Sequence, residues 1–142
     1  MKGITIIEIL LVIGISGVLI YLTLPMGIDF YNYQQLNTSV KGVIQALRTA
    51  QLKAISQEAD SSYGVYLTND NYTLFKGDLY STRDQSQDEV FDLPIIVDVG
   101  GLNAVVFSKL EGRPNPPGNI ELKSGETTAI ININEMGTIN QY

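Results

Sequence analysis

The 142-residue chain has no cysteine and no histidine, and it is poor in positive charge. Without cysteine there is no disulfide framework and no thiol chemistry, so any exported part must hold together by packing alone. Without histidine the commonest general base, the commonest metal ligand and the usual pH switch are all missing. Lys and Arg number 9 against 15 Asp and Glu, a formal charge of −6. That balance argues against a general nucleic-acid or anionic-membrane binder, since both need clustered cations. Basic residues are wholly absent between Lys2 and Lys41, and again after Lys123.

What remains for catalysis is thin. Ser and Thr are plentiful but have no His partner, and no Ser-x-x-Lys stands in a convincing context. Four acids, Asp84, Asp88, Glu89 and Asp92, fall close together. They allow a carboxylate pair for glycoside hydrolysis or an oxygen-ligand Ca²⁺ site. Their spacing fits no EF-hand loop, and an acidic run in a polar stretch is ordinarily solvated surface. Gly100-Gly101 reads as a turn, with no phosphate-loop spacing around it. The expectation is a protein with no catalytic residue, no metal and no cofactor.

The long apolar run is at the N-terminus, MKGITIIEILLVIGISGVLIYLTLP. A short leader with Lys2 ends in Gly3, and an apolar stretch runs from Ile4 to Leu24. As a helix it reaches ~32 Å, enough for a hydrocarbon core of ~30 Å. An export signal would have a shorter apolar stretch followed by a small-residue cleavage site. Here the small residue comes first, and Pro25, Met26 and Gly27 follow the run. Any processing would fall at Gly3 and leave the apolar helix on the mature chain. The Lys2 charge puts the N-terminus in the cytoplasm and the rest outside, by the positive-inside rule. Glu8 is the anomaly. A carboxylate inside such a segment costs roughly 2.5–3.5 kcal/mol on insertion scales and calls for a function and a partner.

Gly3-Ile4-Thr5-Ile6-Ile7-Glu8 resembles the prepilin leader motif of type IV pilins and type II secretion pseudopilins. Gly17 and Pro25 also fall where these families place a helix-loosening glycine and a proline. Ile4 stands where Phe is common. The resemblance implies that a prepilin peptidase cuts between Gly3 and Ile4 and methylates the Ile4 amine. It implies that Glu8, with Thr5 beside it, meets the amine of a neighbouring subunit in a filament. The implied place is the cytoplasmic (inner) membrane, single-pass, and then an extracytoplasmic filament. The bland alternative is a plain signal anchor with an accidental Glu.

After the anchor about 115 residues remain, enough for one small domain with a single core. The division expected is a leader over 1–3, a transmembrane and filament-core helix over 4–28, and a head over 29–142. Asp29 to Glu58 reads as an amphipathic helix. Its apolar stripe is Leu36, Val40, Val43, Ile44, Leu47, Ala50, Ala54 and Ile55, at three- and four-residue steps. Leu52 falls off the stripe, a candidate contact to a neighbour. Pro25 and Gly27 are expected to separate this helix from the anchor by a kink or a melted stretch. Gly14 and Gly17 weaken the anchor at ~1 kcal/mol each relative to Ala.

From Ser61 the period becomes two. Tyr63–Thr68 and Tyr72–Lys76 around Asn69-Asp70-Asn71 give a hairpin. Ser81–Glu89 reads as an exposed loop, and Phe91–Val99 as one strand with Pro94 at an edge or bulge. Ala104–Ser108, Asn119–Lys123, Ala129–Asn134 and Thr138–Tyr142 read as strands, and Glu111–Gly118 only as a loop. The fold class expected is α+β: a long N-terminal helix packed on an antiparallel sheet head.

This order also resembles the GspH/FimT-type pseudopilins and minor pilins. The likeness rests on YGVYLTNDNYTLFKG, on Val105-Val106-Phe107 leading into Gly112-Arg113-Pro114, and on GNIELKS and AIININEMGTI. It implies two small antiparallel sheets against the helix. Gly137-Thr138 stands where that branch often has Gly-Arg, and the basic C-terminal segment linked with DNA capture is missing. The reading is a structural subunit of a secretion pseudopilus or type IV pilus, with other subunits as partners. The alternative is a tip minor pilin that binds DNA or another ligand through Lys76, Arg83, Lys109, Arg113 and Lys123.

Overall fold

A computed structural model describes residues 5–56 and 60–142, with the side chains of 23–26 left aside. One helix, α1, runs unbroken from Ile6 to Ile55, 50 residues. The expected separation at Pro25 and Gly27 is not there: backbone helix continues through both. An interior proline removes one backbone bond, and the intact turns on either side keep the helix going. The C-terminal end comes earlier than Glu58, which lies outside the described residues; Ser56 caps it with its N–H on the carbonyls of Leu52 and Ala54.

Among the described residues nine strands follow, in two antiparallel sheets. The first holds β1 (Tyr63–Leu67), β2 (Asn71–Lys76), β3 (Glu89–Asp92), β5 (Ala104–Phe107) and β6 (Pro114–Asn115), in the order β3-β2-β1-β5-β6. The second holds β4 (Asp98–Gly101), β7 (Gly118–Ser124), β8 (Thr127–Ile133) and β9 (Ile139–Gln141), in the order β4-β7-β8-β9. The α+β class is therefore as expected, a long helix on two small sheets.

The hairpin forms as the turn residues dictate, with Tyr63 opposite Lys76 and Leu67 opposite Tyr72. Three readings are corrected. Phe91–Val99 is not one strand: β3 ends at Asp92 in one sheet and β4 starts at Asp98 in the other. Gly100-Gly101 lies in β4, opposite Glu121 and Ile120 of β7. The Glu111–Gly118 loop contains β6, where Pro114 and Asn115 pair with Phe107 and Val106. The polar run Ser81–Glu89 stays on the surface but is shaped by two short 3-10 turns, Tyr80–Thr82 and Gln85–Gln87.

The core lies where the second half of α1 meets the inner faces of both sheets. Leu36, Val40, Val43, Leu47, Ala50 and Ala54 are buried, joined by Ala46, and face Val65, Leu74, Phe107, Ile120, Leu122, Ile131 and Ile133. Each buried Val, Leu or Ile contributes roughly 1.5–3 kcal/mol, which offsets the entropy of ordering a chain without disulfides. Ile44 is only half-buried, packed against the margin of the core, and Ile55 is exposed where the stripe drifts off the core at its last turn. Helix and sheet approach closely at Gly42, where an added Cβ would sit 2.6 Å from the Tyr72 hydroxyl.

Candidate functional site

The first half of α1 contributes no described residue to the core. Every described residue from Thr5 to Leu22 is exposed, and burial begins only at Leu36, 2 % accessible. Ile6 is 80 % accessible and Ile7 73 %, with Leu10, Ile13, Leu19 and Leu22 likewise uncovered. This segment is long and apolar enough to cross a membrane. An apolar surface of this extent marks a membrane or protein contact, since a few hundred Å² is the usual limit on a monomer.

Its start is well defined. Thr5 has extended backbone, φ −84 and ψ 150, and is the N-cap. Its side-chain oxygen accepts from the Glu8 N–H at 3.4 Å, and its carbonyl accepts from the same N–H at 3.1 Å. Thr5 and Glu8 thus take the N-cap and third positions of a Thr-x-x-Glu capping box. The pattern stands in the sequence and identifies the helix start by itself. Glu8 is exposed on the first turn, where the helix dipole favours a carboxylate. Gly3 and Ile4, the expected cleavage site, lie outside the described residues.

Gly14 and Gly17 have open space where a Cβ would be. No packing within the chain requires them to be small, yet each lowers helix propensity. The Pro25 side chain is outside what is described, so its place is known only as a point on a continuous helix.

The head disperses its charges. Arg83 Nε donates to Asp88 Oδ2 at 2.7 Å, and its guanidinium lies 3.6 Å from the Tyr80 ring centroid. Tyr80 in turn stacks on Tyr66 at 3.9 Å, so the loop after β2 is pinned to the sheet. Asp84 caps the Gln85–Gln87 turn, accepting from the Ser86 hydroxyl at 2.7 Å and its N–H at 3.1 Å. Those two bonds hold its carboxyl below the usual carboxylate range. Glu89 pairs with Lys53 at 2.8 Å, while Asp92 is exposed. Three of the four acids of this run, Asp84, Asp88 and Glu89, thus serve separate local tasks rather than one shared centre. Two more basic residues of the head are likewise paired, Lys109 with Asp60 and Arg113 with Glu111, while Lys123 sits opposite Asp98 across the β4–β7 ladder without an ion pair among the described residues.

One polar residue links the whole head. The Gln51 side-chain amide donates to the Gly112 carbonyl at 3.1 Å and to the Gly137 carbonyl at 3.0 Å. Gly112 follows β5 in one sheet and Gly137 lies between β8 and β9 in the other. A single helix residue thereby ties both sheets. No motif or periodicity singles out Gln51 in the sequence, because its partners are 61 and 86 residues away.

Compared with family models, with characterised proteins and with solved structures, the chain matches none. A long N-terminal apolar helix followed by an antiparallel β head is compatible with a pilin-like fold.

Proposed function

We propose that this chain is a pilin-like structural subunit, held in the cytoplasmic membrane by the first half of α1 and then built into an extracytoplasmic filament. A type II secretion pseudopilus and a type IV pilus both fit this reading. The observation that carries it is the bare half-helix with Glu8 on its first turn. A simple anchor needs the apolar residues but not the carboxylate. Cleavage between Gly3 and Ile4 by a prepilin peptidase would make the Ile4 amine, a fixed positive charge at the same depth as Glu8. In a staggered bundle the amine of one copy meets Glu8 of the next. Other axial registers leave a buried charge unpaired, at a cost of roughly 3–5 kcal/mol, so the pair selects the register.

The alternative, a DNA-capturing tip subunit, draws no support from the head. Arg83, Lys109 and Arg113 are each paired with an acid of the same chain.

Two measurements test the reading. Mass spectrometry of the membrane-purified protein should find a chain that begins at methylated Ile4. A mature chain that keeps Met1 to Gly3, in cells with an active peptidase, sinks the proposal. Glu8→Val should insert and be cleaved normally but fall by roughly a hundredfold or more in sheared filaments, as the ~3 kcal/mol lower bound for breaking a buried pair requires. Equal incorporation of mutant and parent would remove Glu8 from assembly.

A further inference from the structure

The connection between β3 and β4 breaks a local rule. Residues Pro94 to Val97 form a tight turn, closed by the Val97 N–H on the Pro94 carbonyl at 2.9 Å. Its two central residues are Ile95 and Ile96, where turns ordinarily take Gly, Asn, Asp or Ser. Ile95 is 97 % accessible. The turn is also firmly footed. Leu93 and Val97 on either side of it are buried in the core. The Leu93 N–H donates to the Asp70 carbonyl at 2.8 Å, and the Val99 N–H to Asn69 Oδ1 at 3.0 Å. Asp92 and Asp98 bracket this apolar tip, both exposed and in no ion pair among the described residues. The result is a preorganised knob, acid–apolar–acid in order along the chain.

The complementary shape lies elsewhere on the same molecule. Between α1 and the free edge strand β9 runs a groove of about 490 Å³. Its floor includes Ile44, Leu52 and Ile139, and Leu52 is 66 % accessible. Lys41 and Arg48 stand along it, two helical turns or ~10.5 Å apart. Neither cation has an ion-pair partner among the described residues, and no acid is among those lining the groove. From Phe30 to Gln57 the sequence has no Asp or Glu at all, in a chain of net charge −6.

We infer that the knob at Ile95 of one copy docks into the Lys41–Arg48 groove of the next. Asp92 and Asp98 face the two cations, and Ile95 covers Leu52 and Ile44. A chain cannot satisfy its own groove: the knob leads into β4, at the edge of the second sheet opposite β9. Knob and groove are different patches, so the contact is heterologous; repeated head to tail, such contacts build an open helical array wherever the rotation between copies does not close a ring, as in a filament. The inference rests on the reading of the chain as a filament subunit, and names the head contact used beside the helix.

The chain has no cysteine, so single introduced thiols report one position each. Two differently tagged full-length copies, one Ile95→Cys and one Leu52→Cys, are expressed together, and membrane and sheared-filament fractions are oxidised. The mixed disulfide should dominate over both same-site disulfides. Lys41→Glu with Arg48→Glu in the Leu52→Cys copy should lower it about tenfold, two exposed attractions having become repulsions. Asp92→Lys with Asp98→Lys in the Ile95→Cys copy should restore it. All four positions are at the surface, and unchanged circular dichroism of the purified chains checks the fold. Absence of the mixed disulfide, or same-site disulfides in equal yield, overturns the contact. So does duplex DNA that binds the full chain only when Lys41 and Arg48 are intact and suppresses the disulfide, which would give the groove to nucleic acid. Chains found in filaments without the mixed disulfide refute the contact and leave the filament reading standing. A mixed disulfide in membranes from chains that never reach filaments does the reverse.

Discussion

At the scale of single residues, the head depends on a few side chains that no periodicity reveals. Gln51 offers its amide to one loop of each sheet. Gln51→Ala leaves two carbonyls short of a donor, and the expected loss is about 1–3 kcal/mol, read as a lower urea midpoint with the slope unchanged. Gly137 cannot be replaced quietly either: its φ is +80, and an added Cβ would lie 2.7 Å from the Gly112 carbonyl oxygen. Tyr72 is a second case. Burial raises its hydroxyl above the ordinary Tyr value. A group whose folded pKa is raised contributes stability that is intact below the unfolded value, about 10, and is lost as pH rises through the folded one. Stability of the parent should therefore decline above about pH 10 more steeply than that of Tyr72→Phe. Matched denaturation curves at pH 8 and at the alkaline end check it; identical slopes would mean that the hydroxyl reaches water.

Among the elements, the amphipathic second half of α1 and the hairpin were legible in the sequence, and for physical reasons, whereas the continuity of the helix through Pro25 was not. The apolar stripe from Leu36 to Ala54 has one period and one destination, and Asn69-Asp70-Asn71 is a turn by its chemistry. Sequence and structure part where local chemistry and topology disagree. Phe91–Val99 looks like a strand because its turn is centred on two isoleucines, and Gly100-Gly101 looks like a turn although it pairs with β7. Thr5-x-x-Glu8 was present as a capping signal, whereas the Tyr66–Tyr80–Arg83 stack joins residues that only the folded loop brings together. The helix offers its own test. Gly14→Ala and Gly17→Ala meet no obstacle within the chain and should each strengthen the helix by ~1 kcal/mol. Helical circular dichroism of the chain in detergent should hold or rise, and melting of the head should not move. A fall in helicity would mean that these positions pack against something in the isolated chain.

For the whole molecule, the cations are few and dispersed, and half of those described are paired with an acid of the same chain. Duplex DNA should produce no mobility shift of the full chain at physiological salt. Any binding seen at low salt should show a shallow salt slope, because log K falls by about 0.9 per phosphate neutralised. Tight binding at physiological salt that is lost on Arg113→Ala or Lys123→Ala would restore the ligand-capturing alternative.

The unbroken course of α1 through Pro25 carries a consequence of its own. A single helix makes the angle between membrane segment and head a matter of phase. Each residue added between Leu22 and Asp29 would turn the head by about 100° and raise it by about 1.5 Å. One insertion points every head surface at the wrong neighbour, although each half remains intact by itself. Seven insertions bring the surfaces almost back into line, some 10 Å further out. The bridge between the halves is thus measured in angle as much as in length, like the key of a shaft.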